Sequence, residues 1–161
     1  MTKHNDNFDQ LREKNRKTVE KYLELTKGEA RLKRHELFAE DAEDAEGGLW
    51  TTETGEPIVI RGIENLERHA HWSLQCFPDW EWYNIKIFTT DDPDHIWVEC
   101  DGHGIIRLPN YPESYYENHF IHSFELRDGL IIRNREFMNP INQLKALDIV
   151  VTKINRQGIP S

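Results

Sequence analysis

Cysteine is scarce, basic charge is in deficit, and long apolar runs and phosphate loops are missing; each shortage removes a class of function. The two cysteines among 161 residues, Cys76 and Cys100, form no Cys-x-x-Cys pair. In an intracellular chain such residues serve as small apolar side chains, so both are expected to be reduced. Against 29 Asp and Glu stand 20 Lys and Arg, giving a formal charge of -9 and a pI near 5.4. A chain this acidic repels phosphate, which argues against nucleic acid and anionic membrane as partners. No apolar stretch approaches the roughly 20 residues of a membrane span. The opening MTKHNDNFDQ has no apolar signal core, so the expectation is a cytoplasmic protein.

Cofactor signatures are missing too. Gly47-Gly48 lacks the spacing and the following Lys of a phosphate loop, and no dinucleotide fingerprint occurs, so no nucleotide cofactor is expected. Eight histidines invite a metal reading. His119 and His122, however, are three apart in a strand and point to opposite faces, and no His-Glu-x-x-His or Cys-His cluster exists, so no metal is expected.

What is present is aromatic. Only 37% of residues are apolar and the mean hydropathy is -0.76, yet five Trp, seven Phe and five Tyr supply large units of burial. The chain reads as one folded domain, residues 1–161, without internal repeats.

Helical patterning comes first. Phe8 to about Thr26 carries a partial apolar stripe, Gly28 stops it, and Glu29 to Phe38 resumes as a shorter helix. Glu40 to Glu46 (EDAEDAE) is a like-charge run that reads as a solvated loop. Leu49 to Arg61 reads as a hairpin around Thr54-Gly55-Glu56-Pro57, and Gly62 to Phe77 as a third helix closed by Pro78. Strands follow over Trp80 to Thr90, His95 to Leu108, Tyr115 to Arg127 and Leu130 to Met138. Asp128-Gly129 joins the last two by a tight primed turn. Ile141, Leu144, Ala146 and Leu147 allow a last short helix. Helices first and antiparallel strands after define an α+β fold, with a curved antiparallel sheet wrapped over the N-terminal helices and a pocket between the layers.

Period two places Leu130, Ile132, Asn134, Glu136 and Met138 on one face of the last strand, and Ile131, Arg133, Arg135 and Phe137 on the other. Facing the pocket among apolar neighbours, Glu136 would have its pKa raised toward general-acid use; at a sheet edge it would pair with Arg133 or Arg135. On the third helix His69 and Ser73 lie about 40° apart and can share a cavity, whereas His71, about 200° from His69, faces elsewhere. His69 suits proton transfer, although a lone helix His is often structural. Ser73 lacks a nucleophile elbow. His103, between Gly102 and Gly104, reads as a residue at a β-bulge or as a ligand-binding group. Tyr115, Tyr116, His119 and Phe120 could stack on a ring-shaped ligand or pack a core. Arg34 offers a planar fork to a substrate carboxylate, or is a surface charge.

Several strings carry a family resemblance: Cys76-Phe77-Pro78-Asp79-Trp80-Glu81-Trp82-Tyr83-Asn84, Trp97-Val98-Glu99-Cys100-Asp101-Gly102-His103-Gly104 and Tyr115-Tyr116-Glu117-Asn118-His119-Phe120. Arg133-Asn134-Arg135-Glu136-Phe137-Met138-Asn139-Pro140 and the closing Gly158-Ile159-Pro160 add to them. Together they resemble the phenazine biosynthesis A/B protein family, from about Asn15 to the C-terminus. The resemblance implies a ketosteroid-isomerase-like (nuclear-transport-factor-2-like) cone in a homodimer. It also implies a cofactor-independent activity, the joining of two molecules of an aminocyclohexenone carboxylic acid into a tricyclic phenazine precursor by double imine formation. The implied acid/base pair is Glu136 and His69, with Ser73, Tyr116 and Arg34 binding substrate. Because fold does not fix function, a polyketide cyclase, dehydratase or isomerase, or a binding protein shielding a reactive intermediate, stand as alternatives. The acidic segment Asp41 to Glu46 is longer than the short Gly-rich turn of the family.

Overall fold

In the computed structural model, which describes residues 2–40 and 45–160, the chain runs α1 (Thr2–Glu24), a 3-10 helix (Gly28–Leu37), β1 (Glu46–Leu49), β2 (Ile58–Arg61) and α2 (Ile63–Cys76). It continues with β3 (Glu81–Thr89), β4 (His95–Ile106), β5 (Ser114–Arg127), β6 (Leu130–Met138) and α3 (Pro140–Ala146). The strands form one six-stranded sheet in the order β2-β1-β6-β5-β4-β3.

The stripe that sets α1 against the sheet is Asn15, Val19, Tyr22 and Leu23, all buried at helical spacing and followed by Thr26 beyond the helix end. The long strands alternate as period two requires. Along β5 the residues Tyr116, Asn118, Phe120, His122 and Phe124 are buried, while Tyr115, Glu117, His119 and Ile121 face out. The Asp128-Gly129 turn has φ of 54° and 81°, the left-handed pair that a type I′ turn needs. Cys76 and Cys100 are buried and free. No helix among the described residues is long and apolar enough to cross a membrane.

Five features differ from the sequence expectations. The segment after the first helix is a 3-10 helix, and it includes the fully buried Arg31. The first strand of the hairpin is Glu46–Leu49, so Trp50 to Pro57 is its connection. Because β1 lies beside β6, the sheet is not wholly antiparallel: that pair runs parallel. Glu46, expected in a solvated loop, is buried at the sheet and paired with Arg133 at 3.0 Å and Arg135 at 3.6 Å. Residues 41–44 of that acidic run lie outside the described residues.

The fifth difference is in β6. A register shift leaves Ile132 without a partner, so that Leu126 pairs with Ile131 but Glu125 with Arg133. The extra residue resets the alternation. Ile131 is therefore fully buried, contrary to strict period two, and Asn134 and Met138 are buried with it.

Gly102 and Gly104 have a packing cause rather than a bulge in β4; the irregularity lies opposite, in β3 between Tyr83 and Lys86. A Cβ on Gly102 would strike the Trp80 indole and stand 2.8 Å from the Trp82 ring. His103 between them faces out, its Nε2 3.8 Å from the Glu81 carboxylate. Gly102→Ala is expected to lower the unfolding free energy by about 1–3 kcal/mol through overpacking, measured by urea denaturation.

Candidate active site

Between the helices and the inner face of the sheet lies a cavity of about 500 Å³. Its wall includes five side chains singled out in the sequence, Glu136, His69, Ser73, Tyr116 and Arg34, together with Tyr22, Trp72, Trp80, Trp82 and Asn134. Tyr115, His119 and His71 do not reach it. Tyr115 and His119 lie on the outer face of the sheet, where His119 bridges Asp101 at 2.7 Å and Glu99 at 3.1 Å, and His71 is exposed on α2. Among the described residues no group of three or more His, Cys, Asp or Glu side chains is placed to hold a metal.

Glu136 enters the cavity from β6. The arginines beside it in sequence turn to the other face: Arg133 pairs with Glu46 and Glu125, and Arg135 lies 4.1 Å over the Trp50 ring. With neither arginine as partner, burial dominates and pushes the Glu136 carboxyl up to about 7, against a smaller downward pull from Arg34. The cross-strand neighbour of Glu136 is His122, whose Nδ1 stands 3.8 Å from Glu136 Oε1.

The two imidazoles respond to burial in the opposite sense. His69 stacks on Trp72 with centroids 5.6 Å apart, and burial, reinforced by Arg34 and Arg31, lowers it to about 4. His122 lies fully buried between Phe120 and Phe124, and burial together with Arg34 takes it to about 3. Near neutral pH both rings are uncharged, while Glu136 is a half-protonated acid.

Arg34 comes from the 3-10 helix and is nearly buried, with its guanidinium 4.9 Å over the Tyr22 ring. No carboxylate pairs with it among the described residues, so its charge is free to meet an anion in the cavity. Arg31, one turn earlier, does different work. Its Nε donates to Thr26 O, and its Nη1 to Ser73 O, Ser73 Oγ and Phe77 O, all within 3.1 Å. Ser73 therefore accepts from Arg31 and keeps its own hydroxyl hydrogen. Tyr116, 3% exposed, accepts from Asn118 Nδ2 at 2.8 Å, and burial raises its phenol to about 12.

Arg31, His122, Tyr22 and Trp72 were not singled out in the sequence. His122 alone left a signal there, its parity with Phe120 and Phe124 on β5. Arg31 left none, since a charged residue on a short helix ordinarily faces solvent.

A six-stranded open sheet packed with helices around an acid-bearing cavity is the ketosteroid-isomerase-like (nuclear-transport-factor-2-like) α+β fold. A family model, Phenazine biosynthesis protein A/B, matches residues 1–161, and the chain belongs to that family. Phenazine biosynthesis protein PhzB1 of Pseudomonas aeruginosa is 69% identical over 152 residues, 94% of this chain and 91% of that protein. The crystal structure of the phenazine biosynthesis-related protein PhzB2 from the same species superposes with a TM-score of 0.92 at 66% identity, covering 97% of this chain and 99% of that one. A putative polyketide cyclase from Xanthomonas campestris shares the fold at 16% identity, with a TM-score of 0.70 over 85% of this chain and 98% of that one. The family makes this a biosynthetic protein with a small-molecule substrate.

The depressed His122 makes stability depend on pH. Below 6.5 the unfolded imidazole takes up a proton that the folded one refuses until about 3, so acidification through that window withdraws stability, by up to ~1.4 kcal/mol per pH unit. His122→Phe, which removes the titrating group, is expected to lose less thermal stability than the wild type between pH 6.5 and 4, read as the change in Tm.

Proposed function

We propose that the cavity condenses two molecules of an aminocyclohexenone carboxylic acid into a tricyclic phenazine precursor, with Glu136 as general acid and His69 as its partner. The observation that carries this reading is the inverted order of the two groups, a carboxyl near 7 and an imidazole near 4. Titrating groups whose surroundings push their pKa values apart make a natural acid and acceptor pair. Family membership supports the substrate class.

Imine formation needs two protons delivered to oxygen and two removed from nitrogen at each junction. The amine of one molecule attacks the ketone of the other; the carbonyl oxygen gains a proton and the nitrogen loses one, giving a carbinolamine. A second proton on its hydroxyl then expels water, and the iminium nitrogen that remains loses its last proton to give the imine. Glu136, protonated in its apolar site, donates to the oxygen in both steps and is recharged from solvent between them. Neutral His69 orients the attacking nitrogen and takes its proton transiently. Arg34 receives a substrate carboxylate, and the uncharged Glu136 does not repel it. Tyr116 and Ser73 hold the rings and their polar edges. Alignment of the two halves is the larger contribution, since effective molarities reach ~10⁵ M or more while one acid/base group gives ~10²–10⁴.

We further propose a homodimer formed through the outer face of the sheet. Trp97, Phe88, Ile121 and Phe137 lie together there, with Phe88 half exposed and Trp97 6.5 Å from Phe137. A contiguous apolar face of this kind calls for cover.

Glu136→Gln and His69→Ala are each expected to cut turnover about 10²–10⁴-fold in a condensation assay with the aminoketone. Wild-type turnover should fall as pH rises through about 7, because the acid is active only while protonated. Unchanged turnover in both variants, or isomerisation of a steroid enone without condensation, rules the reading out. Ile121→Glu is expected to convert a dimer to a monomer in light scattering after gel filtration, and a monomeric wild type rules the dimer out.

A further inference from the structure

His122 is an imidazole in a place built for a phenyl ring. On β5 it stacks between Phe120, at 24° and 6.1 Å, and Phe124, at 16° and 5.7 Å, and the Trp82 ring meets its edge at 4.8 Å. It is fully buried, and neither ring nitrogen has a hydrogen-bond partner among the described residues. A buried polar group without a partner is destabilising and calls for an explanation. A group able to supply one is Glu136, its cross-strand neighbour on β6, whose Oε1 is 3.8 Å from His122 Nδ1. That separation is longer than a hydrogen bond, and hydrogen bonds at reacting groups are often long before substrate is bound.

We propose that His122 is the positioning residue for Glu136: its Nδ1–H donates to Oε1 when the carboxyl has given up its proton, and holds Oε2 as the oxygen that delivers the proton into the cavity. The imidazole keeps its own proton throughout. It supplies a neutral dipole where a second cation would suppress the acid. The inference rests on the acid role proposed above for Glu136, and extends it from the cavity surface to the layer behind.

Other groups bear on the same carboxyl from each element around it. Arg34 of the 3-10 helix lowers its pKa. Burial, with Arg34 and Arg31 adding to it, keeps His69 of α2 neutral, and burial with Arg34 keeps His122 neutral. Tyr22 of α1, Tyr116 of β5 and Cys100 of β4 are all held in their neutral forms, by burial first and by the Glu136 charge in addition. His122 is the cross-strand neighbour of the carboxyl, with a hydrogen to give.

The test reads the acid itself. In protein labelled with ¹³C at the Glu side-chain carboxyls and ¹⁵N at the imidazoles, NMR titration follows Glu136 in the wild type, His122→Phe and His122→Asn. Phe removes the donor while filling the site, and Asn returns an N–H near the Nδ1 position. The expected result is a wild-type Glu136 midpoint near 7, a rise of about one pH unit in His122→Phe, and recovery toward the wild-type value in His122→Asn. His122 in the wild type should be the Nδ1–H tautomer across that titration. In turnover, His122→Phe should lose about tenfold in kcat at unchanged KM, and Asn should restore most of it.

An Nε2–H tautomer, an unmoved Glu136 midpoint in His122→Phe, or equal rises in both variants overturns the proposal. Should His122→Phe not fold, the wild-type tautomer and the His122→Asn midpoint still decide. Because the titration needs no substrate, a shift of the predicted kind in a wild type without condensing activity would refute the function proposed above and leave the His122 assignment standing.

Discussion

The cavity depends on one buried cation. Arg31 donates to Thr26 O just beyond the end of α1 and to Ser73 O and Phe77 O at the end of α2, from a 3-10 helix between those elements in sequence. Carbonyls at a helix C-terminus lack partners within the helix, and a guanidinium meets several at once. This contact sets the last turns of α2 against the rest of the structure, and so holds the face carrying His69 and Ser73 toward the sheet. Burial lowers Arg31 only to about 10, so the cation persists at neutral pH. A lysine could not reach four acceptors in the same plane.

The same cation acts at a distance. With Arg34 it makes the helix side of the cavity positive, and a positive, poorly solvated wall disfavours any further positive charge. Burial first, with Arg34 added for both rings and Arg31 for His69, keeps His69 and His122 neutral, while Glu136, across the cavity, is raised by burial more than Arg34 lowers it. The chemistry available near neutral pH follows from this ordering: the carboxyl holds a proton at a pH where the imidazoles hold only their neutral N–H. An apolar environment and two arginines achieve this without any charged contact to Glu136.

Much of this architecture was legible in the sequence because it is local. Helical spacing put His69 and Ser73 on one face, the Asp128-Gly129 turn paired β5 with β6, and the order of elements gave the α+β class. What stayed hidden depends on register or on distant partners. From the turn alone, Arg127 pairs with Leu130, and counting back sets Ile121 opposite Glu136 and His122 opposite Arg135. The unpaired Ile132 moves every later pair by one, bringing His122 to Glu136. One extra residue in a strand carries no signature in composition or period, so the layer behind the acid could not be read. Glu46 was misjudged for a related reason. It sits in an acidic run, but its partners Arg133 and Arg135 lie about 90 residues away, and only the parallel β1–β6 pairing brings them together.

Net charge illustrates the gap between composition and site. At -9 the chain would repel an anionic ligand at long range. Most of the described Asp and Glu side chains are exposed, where solvent and salt screen them beyond about 10 Å. Inside the cavity the balance reverses: the one carboxyl deep in the wall, Glu136, is only half charged near neutral pH, while Arg34 faces the space without a carboxylate partner among the described residues. An acidic surface thus surrounds a cavity whose lining carries Arg34 as its one Lys or Arg side chain. The two environments are separable because the dielectric differs between them, so a lost surface carboxylate matters little where a lost Arg34 would leave the cavity lining without a Lys or Arg side chain.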